Sequence, residues 1–300
     1  FLCQPGFEEQ AIPALADKVM QLNWMQLRLE YFCASEYRSE LFLRSFSRKT
    51  FEVVERGLVN PDGTDNSICP FTTLEGDWDK YLETRVNSNT RQKIRRFLRQ
   101  VEGSESYRIT YTEADTVERD IELLLSMWTD RWGARKGNRL QSILGANRRM
   151  LRQAFSTGTL FLPILWHDER AICALAFLVD DRKKSFNFYI GGRDESFKGL
   201  PPGLVLHAHT IRYAIGKGIT KYDFLRGNEP YKYSFGCEER HIKSIFIRTR
   251  DRQNLGGKLD ARSVSTVMYR SMQLQQTNQL AGAERGYRQI IDVDPHNTKA

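Results

Sequence analysis

The stretch Pro201–Gly236, PPGLVLHAHTIRYAIGKGITKYDFLRGNEPYKYSFG, decides the reading of this chain. Pro201-Pro202-Gly203 breaks the preceding segment, and Leu204 to Lys217 then shows helical spacing up to Gly218, a glycine at the place where helices end. Ile219 to Leu225 reads as a buried strand. At its end the chain sets Asp223, Arg226, Glu229 and Lys232 among five aromatic rings, Tyr222, Phe224, Tyr231, Tyr233 and Phe235. Four charges of both signs where an apolar pattern stops have two explanations. They line a groove and hold a ligand, or Asp223–Arg226 and Glu229–Lys232 are paired charges that lock a loop.

Upstream, three apolar segments follow one another: Thr159–Trp166, Ala171–Val179 and Ser185–Ile190. Short polar links (168–170 and 180–183) join them, so they read as an antiparallel meander. Asp77 is placed to cap a helix through Val86. Asn89–Val101 is a second helix, with Arg91, Lys93, Arg95, Arg96 and Arg99 opposite an apolar stripe. Tyr107–Thr112 reads as a strand, Thr116–Arg131 as a long helix and Asn147–Phe155 as another. Nearer the start, helical spacing over Glu8–Leu22 and Tyr37–Phe46 alternates with strand patterns at Met25–Phe32 and Thr50–Leu58. Phe1–Cys3 reads as the end of a strand. Glu239–Thr249 is a late strand, and helical spacing returns from Ser263 to Ile291. The fold class is therefore α/β (α+β): a mixed, largely antiparallel sheet with flanking helices.

The composition narrows the partners. Of 300 residues, 45 are Lys or Arg and 37 Asp or Glu, a formal charge of +8 that favours anionic ligands. The five cysteines are odd in number and contain no CxxC pair, and the five histidines lack metal spacing; reduced thiols and no metal are expected. No apolar run approaches the roughly 20 residues that span a bilayer. The chain starts at Phe1 inside a strand pattern and stops within another pattern, which reads as a piece of a longer protein. A cytoplasmic location is expected.

The order of meander, loop, helix and strand resembles the core of the GNAT N-acyltransferases. The stretch from Pro201, with its Pro-Gly-entered helix, Asp-Phe-Leu-Arg-Gly, Glu229, Tyr231-Lys232 and Phe235-Gly236, resembles the acetyltransferase-like domain of CelD-like proteins of cellulose and exopolysaccharide biosynthesis. GDWDKYLETRVNSNTRQKIRRFLRQVE (76–102) is similar to the same family's first segment. Such proteins resemble Fem-type transferases, with two GNAT-like halves in tandem. The resemblance implies a remnant of a first half over 1–75, a GNAT-like acyltransferase domain over 76–250, a linker over 251–262 and a helical segment over 263–300. In that last segment Ala283, Tyr287, Ile290 and Pro295 resemble the start of a tetratricopeptide repeat, which implies protein partners.

The implied activity is N-acyl transfer from acyl-CoA, as cosubstrate, to an amine or hydroxyl of a sugar or other cell-envelope or polysaccharide precursor. The alternatives are an aminoacyl-tRNA-dependent Fem-like transferase and a non-catalytic scaffold in polysaccharide synthesis. The loop entering the 204–217 helix would hold the pyrophosphate through Lys198, Gly199, Gly203 and Leu204, because a helix N-terminus favours an anion. It departs from the superfamily's usual loop, whose Arg or Gln precedes glycines at fixed offsets. Asp223 or Glu229 would be the base, and Tyr231 or Tyr233 the acid. Arg226 and Lys232 would grip a carboxylate or phosphate. His207 or His209 would face the acceptor or pack as a core histidine.

Overall fold

The computed structural model describes residues 3–22, 24–251, 254–255 and 259–298. The chain divides into two units, Asn60–Arg240 and Phe1–Val59 with His241–Ala300. The larger unit runs β3 (Ile68–Thr73), α3 (Trp78–Arg85), α4 (Ser88–Glu102), β4 (Tyr107–Tyr111), α5 (Val117–Trp132), α6 (Leu140–Ser156), β5 (Leu160–Phe161), β6 (Pro163–His167), β7 (Arg170–Asp180), β8 (Ser185–Arg193), α7 (Pro202–Gly216), β9 (Lys221–Asp223) and β10 (Glu238–His241). Its sheet has the order β10-β3-β9-β8-β7-β6-β4, with β5 beside β7. The pair β8–β9 is parallel and the meander β6-β7-β8 antiparallel.

Both faces of this sheet are covered, which explains the nearly continuous apolar runs of its strands. Cys173, Leu175 and Phe177 of β7 face a core with α3, α4 and α7, while Ala174 and Ala176 face α5 and α6. The helix starts follow local chemistry. Asp77 accepts from Lys80 N–H at 2.9 Å and Asn87 from Thr90 N–H at 2.9 Å, each satisfying an orphan donor. Pro202 sits at the first helical position of α7, where its missing N–H costs nothing.

The smaller unit holds α1 (Glu8–Met20), β1 (Gln26–Phe32), α2 (Glu36–Leu43), β2 (Phe51–Glu55), β11 (Lys243–Thr249), α8 (Val264–Gln276) and α9 (Leu280–Val293). Its sheet has the order β1-β11-β2. Ile12, Ala16, Leu41, Phe42, Phe51, Ile245 and Ile247 form its core.

Several elements differ from the sequence expectations. The segment 159–166 divides at Leu162, because Pro163 has no N–H to continue the β5 pairing and begins β6 instead. The single strand expected over 239–249 is two strands in different sheets, broken at Ile242. The helical stretch from 263 is two helices. Asn278, in the left-handed region at φ 59°, ends the first. Strand β3, with Pro70 inside it, had no period-2 signal to announce it. Of the expected strand end Phe1–Cys3, residues 1 and 2 lie outside the described residues, as do 252–253 and 256–258 of the expected linker.

Candidate active site

Strands β8 and β9 pair only over Ser185–Asn187 with Lys221–Asp223. Beyond that, β8 runs on to Arg193 beside β7. The chain after Asp223 turns the other way, toward β3: Phe224 N–H donates to Pro70 O at 2.9 Å and Gly227 N–H to Ile68 O at 2.8 Å. Two parallel neighbours thus diverge at their carboxyl ends, the place where open sheets receive ligands. The pairing of β7 with β8 shifts register here, Ala176 facing Ile190 and Phe177 facing Phe188, so Tyr189 is the extra residue of a bulge. Tyr189 O–H donates to Asn147 Oδ1 at 2.6 Å, and Asn147 Nδ2 donates to Ile143 O at 3.0 Å, which fixes the amide's orientation. Gly192 lets α5 rest directly on β8. A Cβ there would lie 2.6 Å from Met127 Cβ and 2.9 Å from Leu124 O and Trp128 N.

Helix α7 begins after the loop that leaves β8. Val205 N–H finds Pro201 O at 3.2 Å; Pro202 has no N–H, and the N–H groups of Gly203 and Leu204 precede the first intrahelical bond. Pro201 supplies no side-chain cap. A Cβ on Gly203 would meet nothing within 4 Å, so this helix tip is open. Lys198 and Gly199 are exposed beside it, with the Phe197 ring lying over Gly199.

The mixed-charge loop answers the question its sequence raises. Asp223, 2% exposed, pairs with Arg240 at 3.0 Å and Lys221 at 3.2 Å, and its Oδ1 accepts from Leu225 N–H at 2.9 Å. Where the sequence offers Asp223–Arg226 as an alternative to ligand contact, Asp223 is met by these two residues. Lys232, also 2% exposed, donates to Arg226 O at 2.8 Å, Gly227 O at 2.9 Å and Phe224 O at 3.2 Å. Its ammonium pairs with Glu229 Oε2 at 2.9 Å. Asp223 and Lys232 therefore clamp the turn 224–229, in which Leu225 is left-handed at φ 54°, a conformation that a leucine holds only when its surroundings impose it. Gly227, at φ 100°, leaves room for Glu229, whose Oε2 would lie 2.6 Å from a Cβ.

Three side chains of the loop reach outward: Arg226 is exposed, Glu229 is 35% exposed along its side chain and Tyr231 is 44% exposed. The Tyr231 ring lies 5.8 Å from the His207 ring, which lies 4.8 Å from Phe188 of β8. Desolvation by the surrounding protein, then the Glu229 carboxylate, push the Tyr231 hydroxyl above its ordinary range. Tyr233 instead donates to Glu239.

His207 is 2% exposed, with Nδ1 2.8 Å from Tyr222 Oη; burial, then the Lys232 charge, push its pKa down to about 3. It is a neutral core histidine. His209 Nε2 lies 2.8 Å from Tyr111 Oη, and burial, then Arg212, lower its pKa to about 4. Burial pushes the thiols of Cys173 and Cys237 up to about 12, so neither is a thiolate at neutral pH. Sequence reasoning missed Tyr189, Asn147, Lys221 and Arg240. The bulge that sets Tyr189 has no local signature, and Arg240 is adjacent only through the sheet.

The family model described as an acetyltransferase (GNAT) domain matches residues 88–233, a span from α4 to Tyr233 that includes the strand divergence and the α7 tip. Residues 88–233 thus match a GNAT acetyltransferase domain. Among solved structures, the fold is similar to a conserved protein of unknown function from Bacteroides thetaiotaomicron: TM-score 0.51, 12% identity, 80% of this chain and 73% of that one. FemX gives a TM-score of 0.49 at 11% identity, covering 80% and 76%. A tandem GNAT protein from the clavulanic acid biosynthesis pathway gives 0.37 at 12% identity, covering 72% and 70%. No curated protein matches the sequence. Among the described residues, no helix is long and apolar enough to cross a membrane.

Proposed function

We propose that this chain is a GNAT-type N-acyltransferase that moves an acyl group from acyl-CoA to an amine or hydroxyl of a sugar or cell-envelope precursor in the cytoplasm. One observation carries the reading: β8 and β9 diverge beside an uncapped helix tip, with Glu229 and Tyr231 on the loop that follows β9. The N–H groups of Gly203 and Leu204, with Lys198 nearby, would hold the pyrophosphate of the cosubstrate. The thioester would lie along β8 past Asn187, where its pairing with β9 has ended.

The acceptor nitrogen attacks the thioester carbonyl carbon. A C–N bond forms and the C–S bond breaks. Glu229 takes the amine proton, directly or through one water. Tyr231 remains protonated and donates a hydrogen bond to the departing sulfur. Its pKa lies above that of a thiol, so the thiolate draws its final proton from solvent. Arg226 would orient an anionic group of the acceptor. Asp223, Lys232 and His207 build the turn that carries Glu229 and Tyr231. The α8–α9 hairpin would recruit protein partners in the manner of a repeat.

Release of free thiol from acetyl-CoA in the presence of amino sugars tests the reading. Coenzyme A that produces no heat at millimolar concentration in calorimetry counts against it.

A further inference from the structure

We infer that the turn joining α5 to α6, Arg131–Arg139, is a binding subsite for a phosphate group carried by the acceptor. The inference rests on the acyltransferase reading and names the class of its substrate: a phosphorylated amine, such as an amino-sugar phosphate or an amino-sugar nucleotide.

The sequence RWGARKGNR places Arg131, Arg135, Lys136 and Arg139 within nine residues. Basic residues in a helix's last turn are ordinary, since they complement its dipole. That accounts for Arg131 alone. The other three lie beyond the helix, in or between two short 3-10 turns, Gly133–Arg135 and Gly137–Arg139. The packing of Gly192 against α5 brings the end of that helix to the carboxyl end of β8, past the last β8–β9 pair at Asn187. The link is direct: Arg131 lies 3.5 Å from Glu195, which also takes two hydrogen bonds from Arg193 at the end of β8, at 3.0 and 2.9 Å. The Arg131 charge is also felt at the Tyr231 hydroxyl, and that of Arg226 at Tyr189.

The cations are held in place by rings. Arg131 and Arg135 lie 4.9 and 5.0 Å from the Trp132 ring, and Lys136 lies 5.9 Å from Trp128. Such stacking orients a cation without neutralising it. Neutralisation is incomplete. Glu195 is shared by two arginines and Asp62 answers Arg135 at 3.0 Å, while Lys136 and Arg139 pair with no acid among the described residues. Several oriented cations with two of them unanswered suit a group of charge near −2 with several acceptor oxygens, rather than a single carboxylate.

The test uses the full chain and the variant Lys136→Gln/Arg139→Gln. Calorimetry with coenzyme A measures the α7 tip, and calorimetry with inorganic pyrophosphate in the presence of saturating coenzyme A measures the turn, while thiol release compares glucosamine, glucosamine 6-phosphate and a uridine-diphosphate amino sugar as acceptors. The expected results are a roughly tenfold weaker pyrophosphate affinity in the variant, unchanged coenzyme A affinity, and a higher KM for the phosphorylated acceptor at constant kcat. Which of the two phosphorylated acceptors loses more identifies the source of the phosphate. The control Arg182→Gln/Lys183→Gln, at the opposite end of β8, leaves pyrophosphate binding unchanged. Three results overturn the inference: unchanged pyrophosphate affinity in the variant, an equal loss in the control, or a parallel loss of coenzyme A affinity, which would mean the phosphate is the cosubstrate's own. If the wild type binds no coenzyme A, the acyltransferase reading fails, and the pyrophosphate comparison still decides the subsite.

Discussion

Replacing Lys232 by methionine removes one ammonium and keeps most of the volume. The consequence follows from its four oxygen partners. Three main-chain carbonyls, of Phe224, Arg226 and Gly227, lose their side-chain donor, and Glu229 Oε2, whose atom is buried, loses its counter-charge. Breaking a buried ion pair by deleting one partner costs about 3–5 kcal/mol. Water entering at the exposed side of Glu229 keeps the loss near the lower end, while the left-handed Leu225, no longer clamped, adds to it. For a unit of this size each kcal/mol moves the thermal midpoint by about 2–4 °C, so a fall of about 6–20 °C is expected. Thermal and urea unfolding followed by circular dichroism measure it, with Tyr233→Phe as a comparison that leaves the clamp intact. A loss below about 1 kcal/mol would refute the reasoning, because it would mean that solvent already satisfies these oxygens.

Glu229→Gln is expected to lower kcat for thiol release by about 10²–10⁴-fold, the usual contribution of a general base; a loss under threefold removes Glu229 from that role. His207 is a group whose folded pKa, about 3, lies below its unfolded value. Its contribution to stability is therefore full above about pH 6.5 and is lost as pH falls toward 3, by up to about 1.4 kcal/mol per unit. Denaturant unfolding at pH 7 and pH 5 checks this: His207→Gln flattens the difference, and an unchanged slope contradicts the assignment. Gly192→Val is expected to destabilise by about 1–3 kcal/mol, because its new side chain meets the α5 main chain, which cannot move aside. The conservative Gly203→Ala, at an open position, is expected to change stability by less than about 1 kcal/mol.

What could be read in advance depended on whether the signal was local. The meander, α3, α4 and α7 announce themselves through period, capping residues and turn chemistry, all within a few residues of one another. The loop at 223–232 announced its charges but not their partners. Glu229–Lys232, three apart, was foreseeable from spacing, whereas Asp223 finds Arg240, which reaches it through folding rather than sequence proximity. The bulge at Tyr189 depends on pairing with β7, and the apolar run Phe186–Ile190 reads the same with or without it. Strand β3 was hidden because a sheet position beside β9, set by long-range pairing, gives a six-residue run containing proline no pattern of its own. The open tip of α7 was visible as Pro-Pro-Gly, since two prolines in succession cannot supply the N–H groups or the side-chain cap that closes most helices.

The three-stranded sheet of the smaller unit has a temporal consequence. Its middle strand, β11, is the one that both β1 and β2 hydrogen-bond to, and it comes last in the chain. When β2 leaves the ribosome, about 190 residues remain before its partner exists, which at roughly 5–20 residues per second is about 10–40 s of synthesis. During that interval the aromatic-rich segment around Phe42, Phe46 and Phe51 has no strand to close over, so chaperone capture of nascent chains is expected to concentrate on it and to end when residue 249 emerges.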